Sequence, residues 1–248
     1  MPLIDTIRRA LHAHADPVKA PAMQAYMKSA MPFLGVPRPV LDRIVVDAAK
    51  AQPLTSTPAL IDAMAALWRP ARFREERYAA IELPTCTRTH RKLIAPALLP
   101  LVEEMIVTGA WWDHVDDIAG NVLAELLCLF PADVKPRLRR WANGDDLWLR
   151  RAAFLCQRKL RGADFDAALF YETILPSIGS KATFADEFFI RKGIGWALRE
   201  RSYDAPEEVE AFCREYDARL SPLTKREALR VIVAKREKNK GKKKPGAA

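Results

Sequence analysis

The chain has 248 residues, half of them hydrophobic, and a formal net charge of +9. That is enough apolar material for one large domain or two small ones. No apolar run of about 18 residues is present for a membrane span, and 10 glycines without period-two alternation of Val, Ile or Thr argue against a sandwich or barrel.

From the N-terminus, Met1-Pro2-Leu3-Ile4-Asp5 carries an early acid and no apolar signal core, so a cytoplasmic protein is expected. Amphipathic periodicity predicts helices over 2–14, 17–30, 38–51, 57–68, 71–82, 90–108, 113–129, 132–142, 145–161, 164–177, 186–201, 205–216 and 222–238. Prolines punctuate them. Asp16-Pro17, Thr57-Pro58 and Ser221-Pro222 each place a capping residue before proline, while Pro131 and Pro206 open acidic first turns. No Gly-rich phosphate loop follows a strand-like run. The cysteines, Cys86, Cys128, Cys156 and Cys213, are dispersed, and Cys128 and Cys156 read as buried free thiols. Four histidines without ligand spacing to a cysteine give no metal site, and no cofactor is expected.

Short connections make successive helices antiparallel neighbours. So many helices do not fit one bundle. An all-α solenoid of HEAT-like or armadillo-type helix pairs fits, with a concave basic groove, as a single domain over 1–237. A Lys-rich tail, 238–248, is expected to be disordered. From Lys235 onward seven basic residues face one acid, Glu237, which suits attraction to a polyanion.

Three helices carry unusual residues on one side. Trp112 and Asp116 lie four apart at the start of the stripe Val115, Ile118, Ala119, Val122 and Leu123. An acid there is costly unless it has a partner or a task. Trp148 and Arg151 lie three apart, as do Gly193 and Trp196, and the glycine would let a partner backbone approach that indole. Trp112, Arg151 and Trp196 recur at steps of roughly 40 residues, about one helix pair each. Plainer assignments stand beside these. Asp116 and Arg151 could be a structural ion pair, and Trp68 and Trp141 read as core. Arg150 and Arg191 read first as surface charges and second as phosphate contacts. His114 reads as an exposed first-turn residue, and Asp113 as an acid favoured by the helix dipole.

The segments Trp111-Trp112-Asp113-His114-Val115-Asp116, Trp148-Leu149-Arg150-Arg151 and Glu187 to Glu200 resemble signature blocks of the AlkD-like DNA alkylation repair family. Tyr26-Met27-Lys28 with Phe33 to Pro37, and Leu220 to Leu223 with Arg226 to Leu229, resemble its flanking blocks. The similarity runs from about residue 20 to residue 236. Two features depart from the family pattern: a longer segment from Pro176 to Asp186, and the Lys-rich tail. The resemblance implies a bacterial, nucleoid-associated and monomeric glycosylase for base excision repair. Its partner would be duplex DNA containing 7-methylguanine or 3-methyladenine. Asp116 then matches the catalytic carboxylate, Trp112 and Trp196 the indoles flanking the damaged nucleotide, and Arg151 the adjacent arginine. Arg150, Trp148, Arg191 and Lys192 are the candidate DNA contacts. The alternative is a non-catalytic HEAT-like scaffold binding DNA or protein.

Overall fold

The computed structural model describes residues 2–242, with side chains as far as Lys238. It is all-helical among those residues, and none of its helices is long and apolar enough to cross a membrane. The chain forms two compact units, Met1–Phe130 and Pro131–Ala248.

The first unit contains α1 (Pro2–Ala13), α2 (Ala20–Met27), α3 (Arg38–Ala51), α4 (Thr57–Trp68), α5 (Arg74–Glu82), α6 (Arg88–Arg91), α7 (Leu99–Gly109), α8 (Trp112–Ile118) and α9 (Ala124–Leu129). One wide π-helical turn, Ala119–Leu123, joins α8 to α9. Helix α1 buries Leu3, Ile4, Ile7 and Leu11, a single stripe at helical spacing. It packs on α3, α3 packs on α5, and α5 packs on α8. Helices α4 and α7 contact each other and their sequence neighbours α5 and α8, respectively. Alternate helices therefore stack as layers, the arrangement of repeated helix pairs.

The second unit contains α10 (Pro131–Asn143), α11 (Leu147–Leu155), α12 (Ala167–Ile174), α13 (Phe188–Arg201), α14 (Pro206–Glu215) and α15 (Pro222–Lys242). The same rule holds. Helices α11, α13 and α15 pack in succession, α10 packs on α12, and α14 rests on both α13 and α15. Burial of Trp68 and Trp141 agrees with their assignment to the core.

Several expectations need correction. The helix expected over 90–108 is interrupted, because Pro96 drives Ala95 into an extended conformation and α7 starts only at Leu99. The cap of α4 is Ser56 rather than Thr57; its hydroxyl accepts from the Ala59 N–H. The helix expected to reach residue 161 ends at Leu155, ahead of Gly162 with φ +54°. Cys128 is exposed, whereas Cys156 is buried as expected. Within the expected disordered tail, residues 238–242 continue α15, and 243–248 lie outside the described residues.

Candidate functional site

In the first unit, α7 ends in a left-handed turn at Ala110 (φ 34°) and the chain re-extends at Trp111 before α8 begins. A residue with a Cβ pays for that turn in steric strain. The result brings Trp112 to the first position of α8, half-buried, with its ring edge-on to Tyr26 at 6.4 Å. One turn later Asp116 is only 7% exposed. The two share a face of α8.

The neighbours of Asp116 on α8 have been turned to structural use. Asp113 accepts from Arg74 at 2.5 and 2.9 Å and from the Tyr78 hydroxyl. Burial alone would raise the Asp113 pKa; the Arg74 and Tyr78 hydrogen bonds overcome it and hold the carboxyl below its usual range. Asp113 was expected to serve as a helix-dipole acid, and its main partner is instead this buried guanidinium. His114 was expected at the surface and is fully buried, because it lies four residues before Ile118 and so shares the core face. Its ring sits 5.2 Å from Trp68 and 5.4 Å from Tyr78, with Nδ1 3.3 Å from the Gly109 carbonyl. Burial pushes its pKa down to about 4, so the imidazole is neutral at physiological pH. Asp117 accepts from Arg38 at 2.5 Å, and Arg38 also reaches Asp42 and Glu82, tying α3, α5 and α8 together.

Two features here were not read from the sequence. The fully buried Glu75 carboxylate accepts the backbone N–H groups of Leu34, Gly35 and Val36 at 2.9, 2.8 and 3.2 Å. It thereby fixes the Phe33 to Pro37 loop. Gly35 is required there, since its φ is +86° and a Cβ would run into the Asp16 carbonyl. The usable signal was Arg74-Glu75-Glu76, charged residues on a helix short of apolar positions. Beside α8 lies a cavity of about 260 Å³ lined by Met23, Tyr26, Phe33, Leu41, Tyr78 and Asp113.

In the second unit, Asp146 caps α11 by accepting from the N–H groups of Trp148 and Leu149 at 2.9 and 2.8 Å. The half-buried Trp148 ring lies 5.2 Å from that of Phe189. Arg150 was expected on the surface and is 2% exposed. Its guanidinium donates to the carbonyls of Gly144 and Pro176, at 2.6 and 3.0 Å, and clamps those loops. Arg151 is also buried and donates to the Phe189 carbonyl. Its guanidinium lies where a side chain on Gly193 would go; a Cβ there would also come within 3.0 Å of the Phe154 ring. The room at Gly193 thus serves Arg151, not an approaching partner backbone.

Helix α13 supplies the rest. Arg191 is half-buried, donates to the Ala185 carbonyl at 2.6 Å and pairs with Asp186. Lys192 pairs with Glu227 of α15 at 2.7 Å, and Arg199 shares that carboxylate at 2.6 Å. Those cations hold the Glu227 pKa below its usual range. Trp196, one turn beyond Lys192, is half-buried and donates through Nε1 to Glu200 at 3.0 Å. Trp112 and Asp116 are therefore assembled on one face in the first unit, and Arg151, Trp148 and Trp196 on the stacked pair α11 and α13 in the second. Among the described residues no group of three or more His, Cys, Asp and Glu side chains could hold a metal ion.

A family model described as DNA alkylation repair enzyme matches residues 7–232. Among solved structures, a predicted DNA alkylation repair enzyme from Enterococcus faecalis is similar, with a TM-score of 0.68 and 26% sequence identity. The match covers 87% of this chain and 95% of that one. No curated protein matches the sequence.

Proposed function

The chain belongs to the DNA alkylation repair enzyme family, and on that footing we propose that it is a monofunctional DNA glycosylase. Its substrate is duplex DNA carrying a cationic alkylpurine such as 7-methylguanine or 3-methyladenine. The observation that carries this reading is Asp116, a buried carboxylate on the same helical face as a half-buried indole, Trp112.

Alkylation at N7 or N3 gives the purine a positive charge and makes it a good leaving group. When the C1′–N bond breaks, its electron pair leaves with the base and neutralises that charge. The barrier is the cationic sugar left behind. A carboxylate held in a poorly solvated place stabilises an adjacent positive charge far better than one in bulk water. Asp116 is assigned that task, and it orients the water whose oxygen attacks C1′ and accepts that water's proton. A single carboxylate suffices because the leaving group needs no acid, in contrast to ordinary glycosides. No lysine nucleophile is invoked, so no lyase step follows.

Trp112 and Trp196 are each assigned a stacking contact with the damaged DNA strand, worth about 1–3 kcal/mol. Arg151 is assigned to hold a DNA phosphate. The basic groove inferred from the sequence belongs to this proposal, with Trp148, Arg191 and Lys192 as candidate DNA contacts. Arg150 is dropped from that set, because its donors clamp two loops. The test is chromatography of bases freed from alkylated genomic DNA by the purified protein. Release of 7-methylguanine or 3-methyladenine is expected; binding to duplex without release of any base would favour a non-catalytic scaffold.

A further inference from the structure

Trp196 is held by two partners: Arg158, which lies outside the signature blocks, and Glu200, the last residue of the third block. On one side of the ring, the Arg158 guanidinium carbon sits 4.2 Å from the indole centroid. At the ring edge, Nε1 donates to Glu200 Oε1 at 3.0 Å. Glu200 is itself anchored: Arg161 reaches it at 3.7 Å and pairs with Asp204 at 2.8 Å. Arg161 also donates to the Arg158 carbonyl at 3.0 Å, linking both partners of the indole through one side chain.

We propose that Arg158 and Glu200 are positioning residues for Trp196, leaving one indole face to meet the nucleotide. The edge hydrogen bond fixes rotation within the ring plane, and the stacked guanidinium fixes its tilt. The stacked cation has a second consequence. An indole binds a cation through the negative charge on its faces. A guanidinium already seated on one face opposes a second positive charge approaching the other. The other face of Trp196 is therefore a poor receptor for a second cation. This rests on the glycosylase reading above, but the positioning itself can be measured without it.

The experiment labels the protein with 5-fluorotryptophan and identifies the residue 196 resonance by its loss in Trp196→Leu. Arg158→Met keeps the stem and removes the charge; Glu200→Gln keeps the shape. Both are expected to move and broaden the 196 signal while thermal melting stays near wild type. In base release from methylated duplex, Arg158→Met is expected to lower kcat about 3- to 10-fold. That loss should disappear in the Trp196→Leu background, since the arginine acts only through the indole. An unmoved 196 resonance in both variants would overturn the proposal whatever the activity. So would a loss of kcat that persists in full without Trp196. If the wild type frees no base at all, the glycosylase reading falls, while a displaced resonance still upholds the positioning.

Discussion

Gly193→Ala isolates the seat of Arg151. A Cβ at this position enters the space of the Arg151 guanidinium and comes 3.0 and 3.2 Å from two carbons of the Phe154 ring. Phe154 is fully buried and cannot retreat far, so the arginine tip must move. Alanine in a helix gains about 1 kcal/mol over glycine. Overpacking costs about 1–3 kcal/mol. The balance is a loss of about 0–2 kcal/mol, so the melting temperature should fall by no more than about 8 °C. Activity should respond more strongly. A displaced guanidinium forfeits its proposed bond to a DNA phosphate, about 1.5–3 kcal/mol, which corresponds to single-turnover release of 7-methylguanine slowed about 10- to 160-fold. Gly195→Ala is the control: its Cβ would press on the Thr224 carbonyl and Glu227 at 2.9 and 2.6 Å, so it should cost stability at the α13–α15 contact. If Gly193→Ala releases base within twofold of wild type while Arg151→Ala is impaired, the open space at Gly193 is not what seats the arginine.

Other expectations follow from the same geometry. His114 has its pKa lowered to about 4 by burial, against about 6.5 when unfolded, so the unfolded chain binds the extra proton between those values. Its contribution is complete above pH 6.5 and declines by about 3 kcal/mol as the pH falls to 4; urea midpoints at pH 7.5 and 4.5 measure it, and a midpoint independent of pH in that interval contradicts it. Ala110→Gly relieves a left-handed residue and should raise stability by about 0.5–1 kcal/mol, read as a higher melting temperature; a lower one counts against the strain. Glu75→Gln substitutes a donor group for an oxygen facing the Leu34 to Val36 amides. It should cost about 2–3 kcal/mol in denaturant unfolding, and an unchanged midpoint would show that the loop does not depend on that carboxylate.

The sequence was most informative where one physical signal dominated. Apolar stripes such as Leu3, Ile4, Ile7 and Leu11 located the helices, since burying one face is what makes a helix persist. Proline boundaries at Pro131, Pro206 and Pro222 were legible because proline is best tolerated in a first turn, although Pro136 sits inside α10. Trp112 and Asp116 could be paired from i,i+4 spacing alone. Failures came where a long-range partner overrides local character. Nothing near Arg150 in sequence announces the Pro176 carbonyl that its guanidinium reaches, and nothing near Asp113 announces Arg74. The Glu75 cradle was hidden for the same reason, its acceptor and donors being about 40 residues apart. The role of Gly193 was half legible: close approach was foreseen, but not that the approaching group is an arginine of the same chain.

The central claim is that one buried carboxylate carries the chemistry. The most direct measurement compares wild type with Asp116→Asn in single-turnover release of 7-methylguanine from methylated duplex, alongside duplex affinity and thermal melting. The expected result is release reduced at least a hundredfold, with binding and melting close to wild type. Full release by a folded Asp116→Asn protein would remove that carboxylate from the reaction.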